Sequence, residues 1–305
     1  MNFKQDLRRI ALEKLTAAGI AFDPKGSVRD LWLALLVVQQ RLISNTPRAV
    51  YEAPEFVAAT AKLPPDERDA VIVIERKIRA GENVNPHLNE RSLIPEEDDD
   101  LVVDWAIYHF HLSLAKRRKA NGRFLPRTGL LAFAHITPKE AYMVDIRGHR
   151  HFEDPDLLET LFRRFPLVAQ AHEMRGVIGT AFPATYSAKE VKKFRKAHVN
   201  VPIQIDGKLY LQPGSGFVAS GHSVRAMMQF NAVLSQVQWF ERVMHGNDRL
   251  VRAQVAAATN GAVSPSELDF DLVFDQGEWL VHEKKTDQKV RFLVPIEHAK
   301  RQHTS

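Results

Sequence analysis

The chain has no cysteine among its 305 residues. That absence excludes disulfides, thiolate metal ligands and a cysteine nucleophile, and it is the usage expected of a reducing compartment. Long apolar runs are missing too. The longest, Leu31 to Val38 (LWLALLVV), falls far short of the roughly 20 residues that cross a bilayer. Arg29 and Arg41 bracket it at helical spacing, which predicts a buried helix. The first residues, MNFKQDLRRIALEKL, are charged throughout and hold no apolar signal core. There is no internal repeat and no low-complexity tract. Neither a His-Glu-x-x-His zinc motif nor a Gly-x-Ser-x-Gly elbow occurs. The expectation from these absences is a cytoplasmic protein that does not enter a membrane.

What is present describes a folded, basic chain. With 45% hydrophobic and 26% charged residues it can bury a core and keep a solvated surface. The length allows two domains or more. The formal net charge of +5 favours polyanionic partners modestly.

The expected class is α+β. Helices are predicted over 3–18 and 28–44, where apolar residues recur at three- and four-residue steps. Residues 54–63 and 65–80 read as a helical hairpin broken at Pro64-Pro65 and stopped at Gly81. The acidic run Glu96 to Asp100 reads as a solvated loop. Three strands are predicted next, Ala106 to Leu114, Leu130 to Ile136 and Ala141 to Ile146, joined as an antiparallel meander. A helix over 156–164 follows, then a mixed α+β region. It contains a capping box at Ser187 to Glu190, a hairpin turning at Asp206-Gly207, a long helix over 223–245 and a strand meander over 270–294. The expected organisation is an N-terminal helical segment (1–50), an α+β core (51–154) and a C-terminal α+β domain (155–305).

Candidate chemistry concentrates between Asp104 and His151. His109 and His111 are two apart on a predicted strand, so both imidazoles project from one face. His149 and His151 stand just past the third strand, after Asp145 and Arg147. A meander can bring the two pairs onto one sheet face. Histidine is the side chain best suited to move protons near neutral pH, and arginine holds phosphate with a bidentate fork. The connection between the first two strands carries six basic residues, Lys116, Arg117, Arg118, Lys119, Arg123 and Arg127, with no acid among them. Such a loop supplies sequence-independent affinity for nucleic-acid phosphates.

Segments 54–152 resemble the RelE/ParE superfamily of bacterial toxins, in which a helical hairpin precedes an antiparallel sheet. Ala106-Ile-Tyr-His-Phe-His-Leu112, Gly129-Leu-Leu-Ala-Phe133 and Tyr142-Met-Val-Asp-Ile-Arg-Gly-His-Arg150 take the places of its three core strands. The resemblance covers about a third of the chain. It departs from the family where an arginine within the second strand gives way to Gly129-Leu130, leaving Arg127 nearby, and where His151-Phe152 replaces a terminal tyrosine. The resemblance implies a toxin-type ribonuclease needing no metal or other cofactor, in which a ribose 2′-hydroxyl attacks its own phosphate. One histidine among 109, 111, 149 and 151 acts as base and another as acid, while Arg127, Arg147 or Arg150 stabilises the transition state. RNA, with the ribosome as its setting, and an antitoxin protein are the implied partners.

Three other readings compete. A catalytically silent module could grip nucleic acid or protein with the same surface. A metal-dependent phosphodiesterase could use the histidines with Asp145, although the basic loop repels a cation. His111-Leu-Ser113 and His135-Ile-Thr137 match the His-x-Ser/Thr repeats of two-histidine phosphoesterases but lie close together in the chain. In the C-terminal region, Gly214-Ser-Gly216 and Ser220-Gly-His-Ser223 read as an anion-binding turn or ordinary helix-capping chemistry.

Overall fold

The computed structural model describes residues 2–97, 99–115, 123–149, 155–176, 189–190, 193–194, 197, 199, 202–211, 216, 218, 222–258, 264–275 and 277–290. The class is mixed α+β. The chain forms two compact units: Leu36–Met228, termed here the sheet unit, and Met1–Leu35 with Gln229–Ser305, the terminal unit. Among the described residues no helix is long and apolar enough to cross a membrane.

The sheet unit is built on four strands, β1 (Ala49–Glu52), β2 (Ile107–His111), β3 (Leu130–Ile136) and β4 (Glu140–Gly148), in the spatial order β1-β4-β3-β2. The meander β2-β3-β4 is antiparallel, as the alternating pattern predicts. β1 is a correction to a purely antiparallel sheet. It pairs with β4 in parallel, and its four residues are too short and too exposed to carry a period-two signal. Arg48 secures its start: the guanidinium donates to the carbonyls of Ser44, Thr46 and Thr137 at 2.8–2.9 Å.

Each face of this sheet is covered. The residues of α3 (Pro54–Thr60) and α4 (Pro65–Ala80) pack one face, where Phe56, Ile74 and Ile78 meet Phe110, Ala132 and Met143. Proline at the first helical position starts both helices, since its missing N–H is unpaired there anyway. Gly81 ends α4 with φ +70°, and a Cβ there would stand 2.6 Å from Pro47, so both conformation and space demand glycine.

The opposite face is covered by α5 (Asp100–Trp105), α6 (Pro155–Arg164) and α7 (Pro166–His172), whose Leu101, Trp105, Leu161 and Phe162 pack on Ile107, Leu131, Phe133 and Val144. α5, which the sequence reading did not assign, begins at Asp100, the last residue of the acidic run, and Asp99 is its N-cap, accepting from the Val102 N–H. The hairpin β5 (Ile203–Ile205) and β6 (Lys208–Tyr210) adds Ile205 and Tyr210 to this core. It turns at Asp206 (φ 50°) and Gly207 (φ 77°), the two positive-φ positions a tight hairpin needs.

The terminal unit contains α1 (Phe3–Ala18), α9 (Asp248–Ala258) and a three-stranded meander, β7 (Phe270–Asp275), β8 (Glu278–Glu283) and β9 (Gln288–Val290). Helices α2 (Val28–Arg41) and α8 (Val224–Gly246) carry the chain across the two divisions. The turn between β8 and β9 is organised by Glu283. This fully buried carboxylate accepts from the backbone of Asp269, Lys285 and Thr286 and from the Thr286 hydroxyl. A buried charge persists only when its lone pairs are filled in this way.

Candidate active site

Strand register decides which candidate residues meet. His109 stands opposite Phe133, which stands opposite Asp145; His111 stands opposite Leu131, which stands opposite Arg147. Opposed residues share a face, so His109, His111, Asp145 and Arg147 all belong to the face covered by α5–α7. A bulge between Phe133 and Ala134 leaves Val144 as the extra residue of β4 and keeps Asp145 and Arg147 in phase with the histidines. His149 follows directly, and its ring centroid lies 5.4 Å from that of His111.

One residue, Thr128, organises these two rings through the peptide groups on either side of it. The Thr128 N–H donates to His111 Nδ1 at 3.0 Å, while His149 Nε2–H donates to the Thr128 carbonyl at 2.7 Å. A nitrogen that accepts cannot also carry the hydrogen. Neutral His111 therefore carries its proton on Nε2, and neutral His149 keeps its lone pair on Nδ1. The Thr128 hydroxyl accepts from the Leu112 N–H at 3.0 Å and donates to the Leu130 carbonyl at 2.6 Å. The segment is thereby pinned between the ends of β2 and β3. Sequence reasoning missed Thr128, because nothing in its local context marks a residue whose backbone serves two distant side chains.

Burial sets the electrostatics. His111 is 1% exposed, and its pKa is pushed down to about 4, first by burial and then by His109, His149, Arg127 and His87. Its Nε2 is buried without a hydrogen-bond partner among the described residues. His109 is likewise lowered by burial, against the pull of Asp99, whose Oδ2 lies 3.9 Å from Nδ1. Arg127, exposed on the segment before β3, adds its positive charge to both rings. Asp145 and Arg147 pair with each other at 2.6 Å, and Asp156 approaches Arg147 at 3.8 Å, so that guanidinium is already held by acids. His87 supports the group from behind, its Nδ1–H donating to the His111 carbonyl at 3.2 Å.

Arg123 is exposed. His151 and Arg150 lie outside the described residues, as do Lys116, Arg117, Arg118 and Lys119 of the basic loop. Ser187 and Ala188 of the capping box and most of the Gly/Ser turns also lie outside them. No group of three or more His, Asp or Glu side chains is gathered as a metal-ligand set among the described residues.

A second histidine group lies on the same face. His135 Nδ1–H donates to the Trp105 carbonyl at 2.7 Å, and the ring of His172 lies 5.9 Å from His135, stacked on Trp105 at 5.5 Å. Phe162 and Tyr142 complete an aromatic enclosure. Both imidazoles are lowered by burial, His172 to about 4. No protein-family model, curated protein or solved structure matches this chain.

Proposed function

We propose that the His109, His111, His149 and Arg127 face is the active site of a RelE-type ribonuclease that cleaves RNA without a metal. The observation that carries this reading is the imidazole couple on Thr128. Two neutral imidazoles of fixed tautomer stand beside an exposed guanidinium. A phosphodiester cleavage needs those three elements. The His149 Nδ1 lone pair takes the proton of the ribose 2′-hydroxyl as O2′ attacks phosphorus. The bond from phosphorus to O5′ then breaks, and the imidazolium returns its proton to O5′, leaving a 2′,3′-cyclic phosphate. Arg127 stabilises the negative charge that builds on the non-bridging oxygens, with the neutral His111 ring buried behind it. Such preorganised donors are worth roughly 3–4 kcal/mol each in well-studied hydrolases. His109, neutral and held near Asp99, keeps the floor of the site uncharged at neutral pH. The basic loop from Lys116 to Arg123 recruits the RNA, with the ribosome and an antitoxin protein as further proposed partners.

The burial of His111 favours a second reading, a silent RNA- or protein-binding module in which this ring is structural. One assay separates the two. The purified chain is incubated with RNA, with and without a chelator, beside His149→Gln and Arg127→Ala variants. Cleavage that survives chelation and disappears in His149→Gln supports the nuclease. Cleavage lost on chelation points to a metal enzyme, and binding without cleavage by the parent chain leaves the silent module. Growth arrest on induced expression, relieved by His149→Gln, would add the toxin role.

A further inference from the structure

The four-stranded sheet ends on one side at β1, and no described strand lies beyond it. The Ala49 and Ala53 N–H groups donate toward β4, to the Lys139 and Met143 carbonyls at 3.0 and 2.9 Å. Backbone groups alternate in direction along a strand, so those of Val50 and Glu52 point outward to the open edge. Ala49, Tyr51 and Glu52 are exposed there. A bare edge of this kind is a template for another strand, and the sequence Ala-Val-Tyr-Glu has neither proline nor lysine to blunt it.

A second copy of the same strand fits this edge in one antiparallel register. Centred on Tyr51, it sets Val50 of each copy against Glu52 of the other, and each pair exchanges both backbone bonds. A shift toward the start of the strand sets Glu52 against Arg48, whose N–H already donates to the Ile78 carbonyl at 3.1 Å. A shift toward its end sets Glu52 against itself and Val50 against Pro54, which has no N–H.

The side chains suit the same register. Tyr51 stacks on Tyr142 with ring centroids 5.3 Å apart, yet it is 46% exposed. Opposite its own copy it forms a cross-strand aromatic pair that prolongs the stack. Charge also runs in one direction along β1. Exposed Lys139 and Arg79 stand at its start, next to the carbonyl contacts of Ala49 and Arg48. Exposed Glu52 stands at its end, beside Glu75 of α4. Glu75 is 8% exposed; Arg79 bonds its Oε2, and Oε1 has no hydrogen-bond partner among the described residues. Glu140 lies near the start but on the Tyr142 face, where it accepts from that hydroxyl at 2.7 Å. Antiparallel pairing therefore brings the basic start of one copy to the acidic end of the other. We propose that the chain forms a twofold dimer through β1, with Tyr51 on the axis and the two sheets joined into one. The dimer stands or falls independently of the nuclease reading.

The test is sedimentation velocity of the full chain over roughly 1–300 µM, because so short a contact belongs with weak interfaces. Monomer should give way to dimer as concentration rises, and added salt should weaken the association. Amide hydrogen exchange read by NMR should slow at Val50 and Glu52 in step with the dimer. The Tyr51 amide, which faces β4, should not change. Glu52→Pro removes an outward N–H, leaves the β4 ladder intact and should abolish the dimer. Glu52→Lys keeps the backbone and gives Glu75 a counter-charge, so the fold is retained; it should weaken the dimer roughly three- to tenfold. A monomer at every concentration, a dimer as tight in both Glu52 variants as in the parent, or exchange at Val50 and Glu52 that ignores concentration would overturn the proposal.

Discussion

The sheet unit carries two histidine groups on one face, and they differ in what surrounds them. His135 and His172 are enclosed by Trp105, Phe162 and Tyr142. His111 and His149 are held by the backbone of one residue, Thr128, and bordered by Arg127, Asp145 and Arg147. Aromatic enclosure makes an imidazole a packing piece that happens to contain nitrogen. A polar border fixes the tautomers of His111 and His149, and the proposed nuclease reading gives the proton exchange to half-buried His149. In that reading the same residue type on the same face serves two purposes, and the neighbours decide which.

Acid is the strongest way to break the contrast, because it attacks both groups together. His111 and His172, with His87 behind them, have pKa values near 4 in the fold, against about 6.5 unfolded. Between those values the unfolded chain binds more protons, so the stabilisation from neutral burial is complete above about pH 6.5 and is lost as pH falls toward 4. Glu75 works in the other direction. Burial and the neighbouring Glu52 raise it to about 7, so it favours the fold at low pH and costs stability as pH rises from about 4.5 to 7. Three lowered imidazoles outweigh one raised carboxyl. Denaturant melts across this window should show stability falling steadily with acid; a flat profile would contradict the burial of the imidazoles.

Trp105→Ala probes the aromatic group alone. Trp105 is 1% exposed and stacks on His172, and its truncation should cost about 3–5 kcal/mol in urea unfolding. His172→Phe should keep the enclosure filled and lower the pH at which the protein unfolds, with RNA cleavage unchanged. Loss of cleavage in His172→Phe would erase the distinction drawn between the groups.

Thr128→Val tests the other side. It leaves the Leu112 N–H without its acceptor, at a cost of about 1–3 kcal/mol, and loosens the backbone segment that holds both rings. Cleavage should fall and its pH profile should move, with both restored in Thr128→Ser. Arg127→Ala is the mildest change. Stability should stay within about 0.5 kcal/mol of the parent, while RNA affinity weakens and its salt slope drops by about 1. An unchanged salt dependence would place the RNA contact elsewhere.

The strands β2, β3 and β4 were legible because alternation is a local property, and the shared face of His109 and His111 follows from period two alone. The helix starts at Pro54 and Pro65 and the stop at Gly81 were legible for the same reason. β1 was not: four exposed residues acquire strand character only by pairing with β4, about ninety residues further on. Asp99 looked like one charge in an acidic run, yet it caps α5 and faces His109. His135 and His172 gave no sign of each other, being far apart in the chain and joined only by packing on Trp105.

Composition and periodicity by themselves determined a mixed α+β chain without thiols, with two imidazoles on one strand face and a basic connection beside them. Tertiary structure alone decided that His149 meets His111, that Thr128 sets both tautomers, and that Arg147 is held by acids. The physical reason is range. Propensity and alternation act over a few residues, whereas tautomer, burial and charge pairing depend on groups that long-range strand register and core packing bring together.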